Sequence, residues 1–369
     1  MRASIAGMCT LAMLAVQASA AERWRSQYFY DTDAETLVFA DMQCPSNARC
    51  LAVGSIIHGR SRKPVAIVTS DSGKTWSTVK LEQQPVSLFF LNEGLGWMVS
   101  ENSDLWETTE AGRNWKKVGR VPAQATRVFF RTENDGWAAA GKKSVLETHD
   151  GGRHWTAVPA AGEPPGDPRF SAYTWIAFAG QKAGLITGWN IPPHREPDDA
   201  KPEWIDPQSA LRRTRPHLSY SLTTADGGKT WRAASGSLFG EVARVRLQEN
   251  GVGLNLMQYP PGFRYPSEVY KIDLRAGKSE TAYRDRNLRV TDIWVAPGGA
   301  GYVAGRSASG QAWNLTPGKV RILRSADWLT WVEQAVDYRA VANTAILAGS
   351  PEGSMWAATD TGMILKLLP

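Results

Sequence analysis

The chain has 369 residues, of which 43% are hydrophobic and 21% are charged, and its formal net charge is +6. This mixture is typical of a globular protein. The charge is too small for the length to indicate nucleic acid as a partner, and no apolar run reaches the roughly 18 residues of a transmembrane helix. We therefore predict neither a nucleic-acid partner nor a transmembrane segment.

Residues 1–20 predict an export signal. Arg2 supplies the positive start, Ile5 to Val16 is an apolar stretch too short to span a membrane, and the small residues Ala18 to Ala20 form a cleavage site. We expect cleavage after Ala20, which leaves residues 21–369 as one domain. The expected location is the periplasm, with the extracellular space as the alternative.

The mature chain contains two of the three cysteines, Cys44 and Cys50, separated by five residues. An oxidising compartment favours a disulfide that closes a small hairpin loop, and the alternative is a pair of free thiols. The cysteine spacing fits no common zinc pattern, and the histidines show no metal-ligand spacing either. We predict no metal and no cofactor.

An eight-residue motif recurs along the chain, with an acidic residue near its start, Gly in its middle and Trp at its end. Its copies are Thr69–Trp76, Thr108–Trp115, Thr148–Trp155 and Thr224–Trp231, followed by a shorter copy without Gly, Ser325–Trp331. The acidic residues are Asp71, Glu110, Asp150, Asp226 and Asp327, and the tryptophans are Trp76, Trp115, Trp155, Trp231 and Trp331. In such a turn the carboxylate can accept backbone N–H groups, Gly can take a positive φ and Trp can cover apolar surface between hairpins. We interpret these residues as structural.

A second repeat is a short apolar strand led by a small or turn residue, which occurs seven times. The segments are Arg49–Gly54, Gly96–Ser100, Gly136–Gly141, Gly184–Gly188, Gly251–Leu254, Gly301–Gly305 and Ser354–Ala358. The repeats before the last read as four short strands each, without helical periodicity, so we predict an all-β, seven-bladed β-propeller of four-stranded antiparallel blades. The last repeat supplies only three strands. We expect Trp24–Tyr30 at the mature N-terminus to be the fourth and to close the ring.

The eight-residue motif resembles the Asp-box, or BNR, repeat. With strand openings such as Gly136-Trp137, the chain resembles the photosystem II stability and assembly factor-like propellers, most strongly from Ser55 to Ala160. The resemblance implies a seven-bladed propeller that binds partners, and it does not imply photosynthesis. The segment from Cys44 to Gly54 resembles the disulfide-bearing first blade of BNR-like secreted proteins.

Lengthened connections indicate where a partner would bind. Successive strands of a blade are antiparallel, so the connections between second and third strands leave the propeller opposite the Asp-box turns. Four of these connections are long, Ser55–Pro64, Trp189–His217, Met257–Pro266 and Arg306–Pro317. Their concentration on one face predicts a binding rim.

These connections are rich in Arg and aromatic residues, the types enriched at interface hot spots. The candidate partner-binding residues are Arg60, Arg62, Arg195, Trp204, Arg212, Arg213, Arg215, Tyr259, Phe263, Tyr265 and Trp313. The alternative for the arginines within residues 212–215 is a solvated surface. The alternative for the aromatic residues of 259–265 is packing of their loop onto its own blade.

We therefore predict an exported, non-enzymatic propeller that docks on a protein of an envelope or membrane complex as an assembly or accessory factor. The first alternative is a carbohydrate-active propeller, hydrolase or lectin, with Trp204 and Trp313 stacking on sugar rings. Sialidases share an Arg-Ile-Pro element, whereas the corresponding stretch of this chain is Arg62-Lys63-Pro64. A third possibility is a small hydrophobic or anionic ligand in the central channel.

Overall fold

The computed structural model describes residues 22–193, 205–206, 208–209, 214–260, 262–307 and 317–369. Seven antiparallel sheets follow one another around a central channel. The inner strand of each sheet contacts the inner strand of the next, and the seventh contacts the first. The predicted all-β, seven-bladed propeller is confirmed. The predicted export signal lies outside the described residues.

Each blade has four strands, which follow one another from the channel outward. The strands of blade 1 are Thr36–Gln43, Cys50–His58, Ser61–Thr69 and Ser77–Lys80. Those of blade 2 are Pro85–Phe90, Gly96–Ser100, Asp104–Thr108 and Lys116–Arg120. Those of blade 3 are Ala125–Phe130, Gly136–Ala140, Ser144–Thr148 and Thr156–Ala157. Those of blade 4 are Ser171–Ala179, Ala183–Asn190, His217–Thr224 and Arg232–Leu238. Those of blade 5 are Glu241–Leu247, Val252–Gln258, Ser267–Asp273 and Lys278–Arg284. Those of blade 6 are Leu288–Val295, Gly301–Ser307, Gly318–Ser325 and Val332–Glu333. Those of blade 7 are Ala345–Gly349, Met355–Thr359, Met363–Leu368 and Arg23–Phe29. Two short strands, Ala335–Val336 and Val341–Ala342, and two 3₁₀ turns, Pro159–Gly162 and Pro168–Phe170, lie in connections between blades.

The ring is closed by the two ends of the chain. The strand Arg23–Phe29 pairs antiparallel with Met363–Leu368, as the three-strand count of the last repeat predicts. Trp24 on this strand is fully buried, and its ring lies edge-on to Tyr302 of blade 6 at 6.3 Å. Closure therefore joins the N-terminal strand to the core between blades 6 and 7.

The connections leave the propeller on two faces because successive strands are antiparallel. We call the end with the second-to-third strand connections and the blade-to-blade connections the loop face. The opposite end carries the turns of the eight-residue motif, which we call the box turns, and is the box face. The strand ends that flank the predicted long connections of blades 4, 5 and 6 lie on the loop face. They are Asn190 and His217, Gln258 and Ser267, and Ser307 and Gly318.

Blade 1 differs from the expected long connection. Its second and third strands stay paired out to His58 and Ser61, so only Gly59 and Arg60 form the turn, with Gly59 at a φ of 56°. The β-branched Ile56 and Ile57 favour the extended conformation that lengthens this hairpin. The segment that the sequence suggests as a loop is therefore a protruding pair of strands.

Each box turn is a compact network of hydrogen bonds. In blade 1 the Asp71 carboxylate accepts the Thr75 backbone N–H at 2.9 Å, and the Thr69 hydroxyl accepts the N–H of Gly73 at 2.9 Å. Gly73 has a φ of 87°, in the left-handed region that favours Gly. Asp150, Asp226 and Asp327 accept backbone N–H groups in the same way. Glu110 instead accepts the Asn114 side-chain amide at 2.7 Å.

The box tryptophans cover aromatic rings of the core. Three of them reach the preceding blade, with Trp76 edge-on to Trp356, Trp231 to Trp137, and Trp331 tilted on Tyr283. Trp115 and Trp155 lie edge-on to Phe90 and Phe130 of their own blades. The predicted disulfide joins Cys44 and Cys50 at the first turn of blade 1, where both residues are buried. That prediction is confirmed.

Candidate docking surface and central channel

The loop of blade 5 places two of the predicted aromatic residues together on the loop face. The Tyr259 ring stacks on Phe263 with centroids 5.6 Å apart. The Tyr259 hydroxyl donates to the Glu268 carboxylate at 2.8 Å, and the Tyr270 hydroxyl donates to the same oxygen at 2.5 Å. Burial, followed by hydrogen bonding to Tyr270 and Glu268, raises the pKa of Tyr259 above its usual value. The phenol therefore stays protonated and anchors one end of the loop to its own blade.

The aromatic surface continues onto the connection from blade 4 to blade 5. Phe239 lies 5.5 Å from Phe263, ring to ring. Phe239 is 41% exposed and its neighbour Leu238 is 39% exposed, so this contact leaves apolar area open to solvent. The sequence analysis missed both residues because it considered only second-to-third strand connections. Because the strands are antiparallel, the blade-to-blade turns lie on the same face as the second-to-third strand connections. Strand order could therefore have predicted Leu238 and Phe239 as part of this face.

Arginines surround the third predicted aromatic residue of this loop. The guanidinium carbons of Arg264, Arg284 and Arg286 lie 5.4, 5.0 and 6.0 Å from the centroid of the Tyr265 ring. Arg284 also lies 3.6 Å from the buried Glu268 carboxylate. Cation–π contacts of this kind hold the arginines over the ring while their charges face water.

These residues form one continuous surface, which we call the loop-face cluster. It consists of Leu238, Phe239, Tyr259, Phe263, Arg264, Tyr265, Arg284 and Arg286. It combines the exposed Leu238 and Phe239 with half-buried aromatic rings and three arginines, and Glu268 at its base is mostly buried. Such a surface suits a partner segment that carries both apolar and acidic side chains.

The other predicted residues are placed separately. Arg215 is exposed and precedes the His217–Thr224 strand, whose His217 pairs with Leu238, so it lies at the blade 4 side of the cluster. Arg60 and Arg62 belong to blade 1, which is not adjacent to blade 5, and Arg62 lies 3.5 Å from Glu101 of blade 2. Arg195, Trp204, Arg212, Arg213 and Trp313 lie outside the described residues. The glycan alternative depends on two of them.

The central channel contains a second cluster. Six inner strands carry a register shift, and the first residue after it is Asp41, Ser87, Arg127, Trp175, Arg244 or Asp292. A bulge turns the following side chain, and in this propeller the bulges fall at one level of the ring. Arg127 of blade 3 reaches Asp41 of blade 1 at 3.3 Å, a contact between blades that are not neighbours. The two side chains therefore meet across the channel.

Trp175 lies at the centre of this channel cluster. Its indole N–H donates to the Val245 carbonyl at 2.7 Å, which fixes the ring. The guanidinium carbons of Arg127, Arg244 and Arg246 lie 3.8, 4.7 and 5.0 Å from the ring centroid. Burial lowers the pKa of Arg127 to about 10, with the Asp41 carboxylate opposing the shift, so the group remains charged at neutral pH.

A funnel opens on the box face of the propeller. Its volume is about 810 Å³, and first turns of blades 1, 2, 5, 6 and 7 line it. Trp294 contributes to the lining, and the Arg246 guanidinium lies 4.5 Å from the Trp294 ring. Arg246 of the channel cluster thus contacts a residue that lines the funnel, on the face opposite the loop-face cluster.

The described residues contain neither a metal-binding cluster of His, Cys, Asp or Glu nor a membrane-spanning helix. No group of three or more His, Cys, Asp or Glu side chains there could hold a metal ion. No helix in that part of the chain is long and apolar enough to cross a membrane.

Sequence comparison gives one family match. The family model described as Photosynthesis system II assembly factor YCF48 matches residues 68–189, about a third of the chain. The chain resembles the YCF48 family. The matched region runs from the third strand of blade 1 to the second strand of blade 4. A search of curated proteins found no relative with significant sequence similarity.

Solved YCF48 structures resemble this chain in fold. A YCF48 bound to a D1 peptide is 15% identical, with a TM-score of 0.59 over 94% of this chain and 95% of that one. YCF48 from Cyanidioschyzon merolae is 13% identical, with a TM-score of 0.57 over 94% and 98%. A catalytically inactive virginiamycin B lyase from Staphylococcus aureus is 11% identical, with a TM-score of 0.55 over 94% and 99%. The fold is thus shared with YCF48 and with an enzyme, so the fold alone does not determine the function.

Proposed function

We propose that this protein is an exported, non-enzymatic docking protein that acts as an assembly or accessory factor for an envelope or membrane complex. The observation that carries the proposal is the loop-face cluster, which joins exposed Phe239 to the aromatic loop of blade 5 and to three arginines. The partner we propose is a peptide segment of a membrane-complex protein with acidic and apolar side chains.

The chemistry of the cluster supports this partner class. Tyr265 and its arginines present a planar, positively charged surface, and arginine can bind a carboxylate with two parallel hydrogen bonds. The adjacent rings of Phe239 and Phe263 offer apolar area that loses little rotamer freedom on binding. Tyr259 is held by Glu268, so the loop is partly preorganised before a partner arrives.

The comparisons support a peptide partner. A YCF48 propeller, similar to this chain in fold, has been seen with a D1 peptide bound. The proposal that this chain also takes a peptide rests on that resemblance together with the cluster. Export is supported by the signal-like residues 1–20, and a buried disulfide suits an oxidising compartment such as the periplasm.

Site-specific photo-crosslinking in the native host tests the proposal. A photoreactive amino acid replaces Phe239 on the loop face in one variant and Leu329 on the box face in the other. Leu329 is 71% exposed and is the matched control. We expect Phe239 to crosslink to one defined envelope or membrane-complex protein, and mass spectrometry identifies it.

Charge reversal then connects that crosslink to the cluster. The double variant Arg284→Glu and Arg286→Glu should abolish the Phe239 crosslink, because an acidic segment is now repelled. The control reverses Lys229 and Arg275, which are exposed in third-to-fourth strand turns of blades 4 and 5 on the box face. Two results would contradict the proposal: a crosslink from Leu329 alone, or a Phe239 crosslink that persists in the Arg284 and Arg286 double variant.

A further inference from the structure

The channel cluster has features of a binding site that the docking proposal does not use. Its arginines lie on the inner strands of blades 3 and 5, away from the loop-face cluster. All three guanidinium carbons lie within 5.0 Å of one indole centroid. Like charges held this close repel one another, so the arrangement is stable only when negative charge neutralises it.

The two channel aspartates neutralise it incompletely. Asp41 and Asp292 face Arg127, Arg244 and Arg246, so these five charged side chains carry one positive charge in excess. Arg244 and Arg246 lie 3.5 and 3.9 Å from Asp292, longer than the roughly 2.8 Å of a charge-assisted hydrogen bond.

The aspartates are already engaged with the backbone. Asp41 accepts the N–H groups of Met42 and Leu88, each at 2.9 Å. Asp292 accepts those of Ile293 at 2.8 Å and Leu347 at 2.9 Å. Each carboxylate therefore joins its own inner strand to that of the next blade. Its oxygens are shared between backbone N–H groups and the arginines, as at Asp41, where the oxygen that accepts the Leu88 N–H also accepts from Arg127 at 3.3 Å.

A further polar group at this level lacks a partner. Ser87 occupies the same register position in blade 2, between Asp41 and Arg127 in the order of the blades. The side chain is fully buried, and no hydrogen bond of its hydroxyl is found among the described residues. A buried hydroxyl without a partner is costly unless something else satisfies it.

We propose that the channel cluster binds a small oxyanion, with Arg127, Arg244 and Arg246 as its ligands. The planar guanidinium group matches the oxygen spacing of phosphate and carboxylate. Access is from the box face, through the funnel that Trp294 lines beside Arg246. Phosphates and carboxylates are both candidate anions because they share this oxygen spacing, and the experiment distinguishes the two classes.

Isothermal titration calorimetry of the purified protein tests the site. Inorganic phosphate and acetate are titrated separately at a fixed ionic strength set with chloride. We expect saturable one-site binding of at least one of them, and the tighter anion assigns the class. In Arg244→Gln and Arg246→Gln the dissociation constant should rise about tenfold or more, since each variant loses a charged hydrogen bond.

Two controls make the result specific. Arg232→Gln removes an exposed charge from the outer strand of blade 4 and should leave binding unchanged. The charge-reversal variant of Arg284 and Arg286 should also bind the anion normally. The anion-site proposal can therefore fail while the docking proposal stands, and the docking proposal can fail while the anion site stands. If a Gln variant does not fold, Arg244→Lys can be used instead. It keeps the positive charge but should still weaken anion binding, because lysine lacks the planar guanidinium group that binds two oxygens at once. No binding of either anion, or equal loss in Arg232→Gln, overturns the proposal.

Discussion

At the scale of single residues, one carboxylate in each box turn accepts hydrogen bonds from the residues of that turn. Asp71 accepts the Thr75 hydroxyl at 2.5 Å and the Thr75 backbone N–H at 2.9 Å. These two bonds lower the pKa of Asp71 from 3.8 to about 2. The folded protein therefore holds this proton more weakly than the unfolded chain does.

The pKa of Asp71 leads to a prediction about pH. A carboxylate with a depressed native pKa stabilises the fold above its unfolded pKa of about 3.9, and this contribution disappears as the pH falls through the native value. We expect Asp71→Asn to lower the melting temperature at pH 7, and the difference from the wild type to shrink between pH 4 and pH 2. Thermal melts followed by circular dichroism measure both. The exposed Asp31→Asn variant is the control, and a constant difference across this range would contradict the account.

The glycine of the blade 4 box permits a second prediction. Gly228 has a φ of 87°, and a Cβ there would clash with the Trp137 ring. Trp137 is only 2% exposed and cannot move away without disturbing blade 3. Gly228→Ala should lower the free energy of unfolding by about 2–4 kcal/mol through backbone strain and overpacking. Gly236→Ala, where an added Cβ contacts nothing within 4 Å, should differ little from the wild type in urea denaturation.

At the scale of strands, the N-terminal segment completes blade 7. Its contribution depends on Trp24, which packs against Tyr302 and is 0% exposed. The Asp337 N–H donates to the Trp24 carbonyl at 2.9 Å, and the parallel pair Trp24 and Val336 fixes the outer side of the strand. Because this strand completes blade 7, its loss leaves the third strand of blade 7 paired on its inner side alone.

Removal of the Trp24 side chain tests this closure. Trp24→Ala should lower the free energy of unfolding by about 3–5 kcal/mol, as expected for a large buried aromatic residue. Arg25→Ala changes the next residue on the same strand, which is exposed, and should cost much less. Urea denaturation followed by fluorescence compares the two. Similar losses in both variants would mean that Trp24 packing does not hold the strand.

The strands also show what the sequence can and cannot predict. The box turns repeat Asp, Gly and Trp at fixed spacing, so local chemistry suffices to locate them and, with the second repeat, to count the blades. The loop-face cluster joins Phe239, Phe263 and Arg286, which share no local pattern and meet only through blade order. The channel cluster depends on bulges in separate strands, and a bulge leaves no clear pattern in the sequence at Arg127 or Trp175.

At the scale of the whole molecule, the propeller separates two kinds of surface. The loop face presents aromatic rings and exposed arginines around Tyr265, suited to a peptide partner. The channel holds partly buried arginines around Trp175, which we propose bind a small anion.

The affinity of the crosslinked partner for the purified protein tests the central claim most directly. Biolayer interferometry compares the wild type with the loop-face reversal of Arg284 and Arg286 and with the box-face reversal of Lys229 and Arg275. We predict that the loop-face variant binds about tenfold more weakly or worse, whereas the box-face variant binds like the wild type. Equal affinity in the loop-face variant, or a loss confined to the box-face variant, would contradict docking through the loop face.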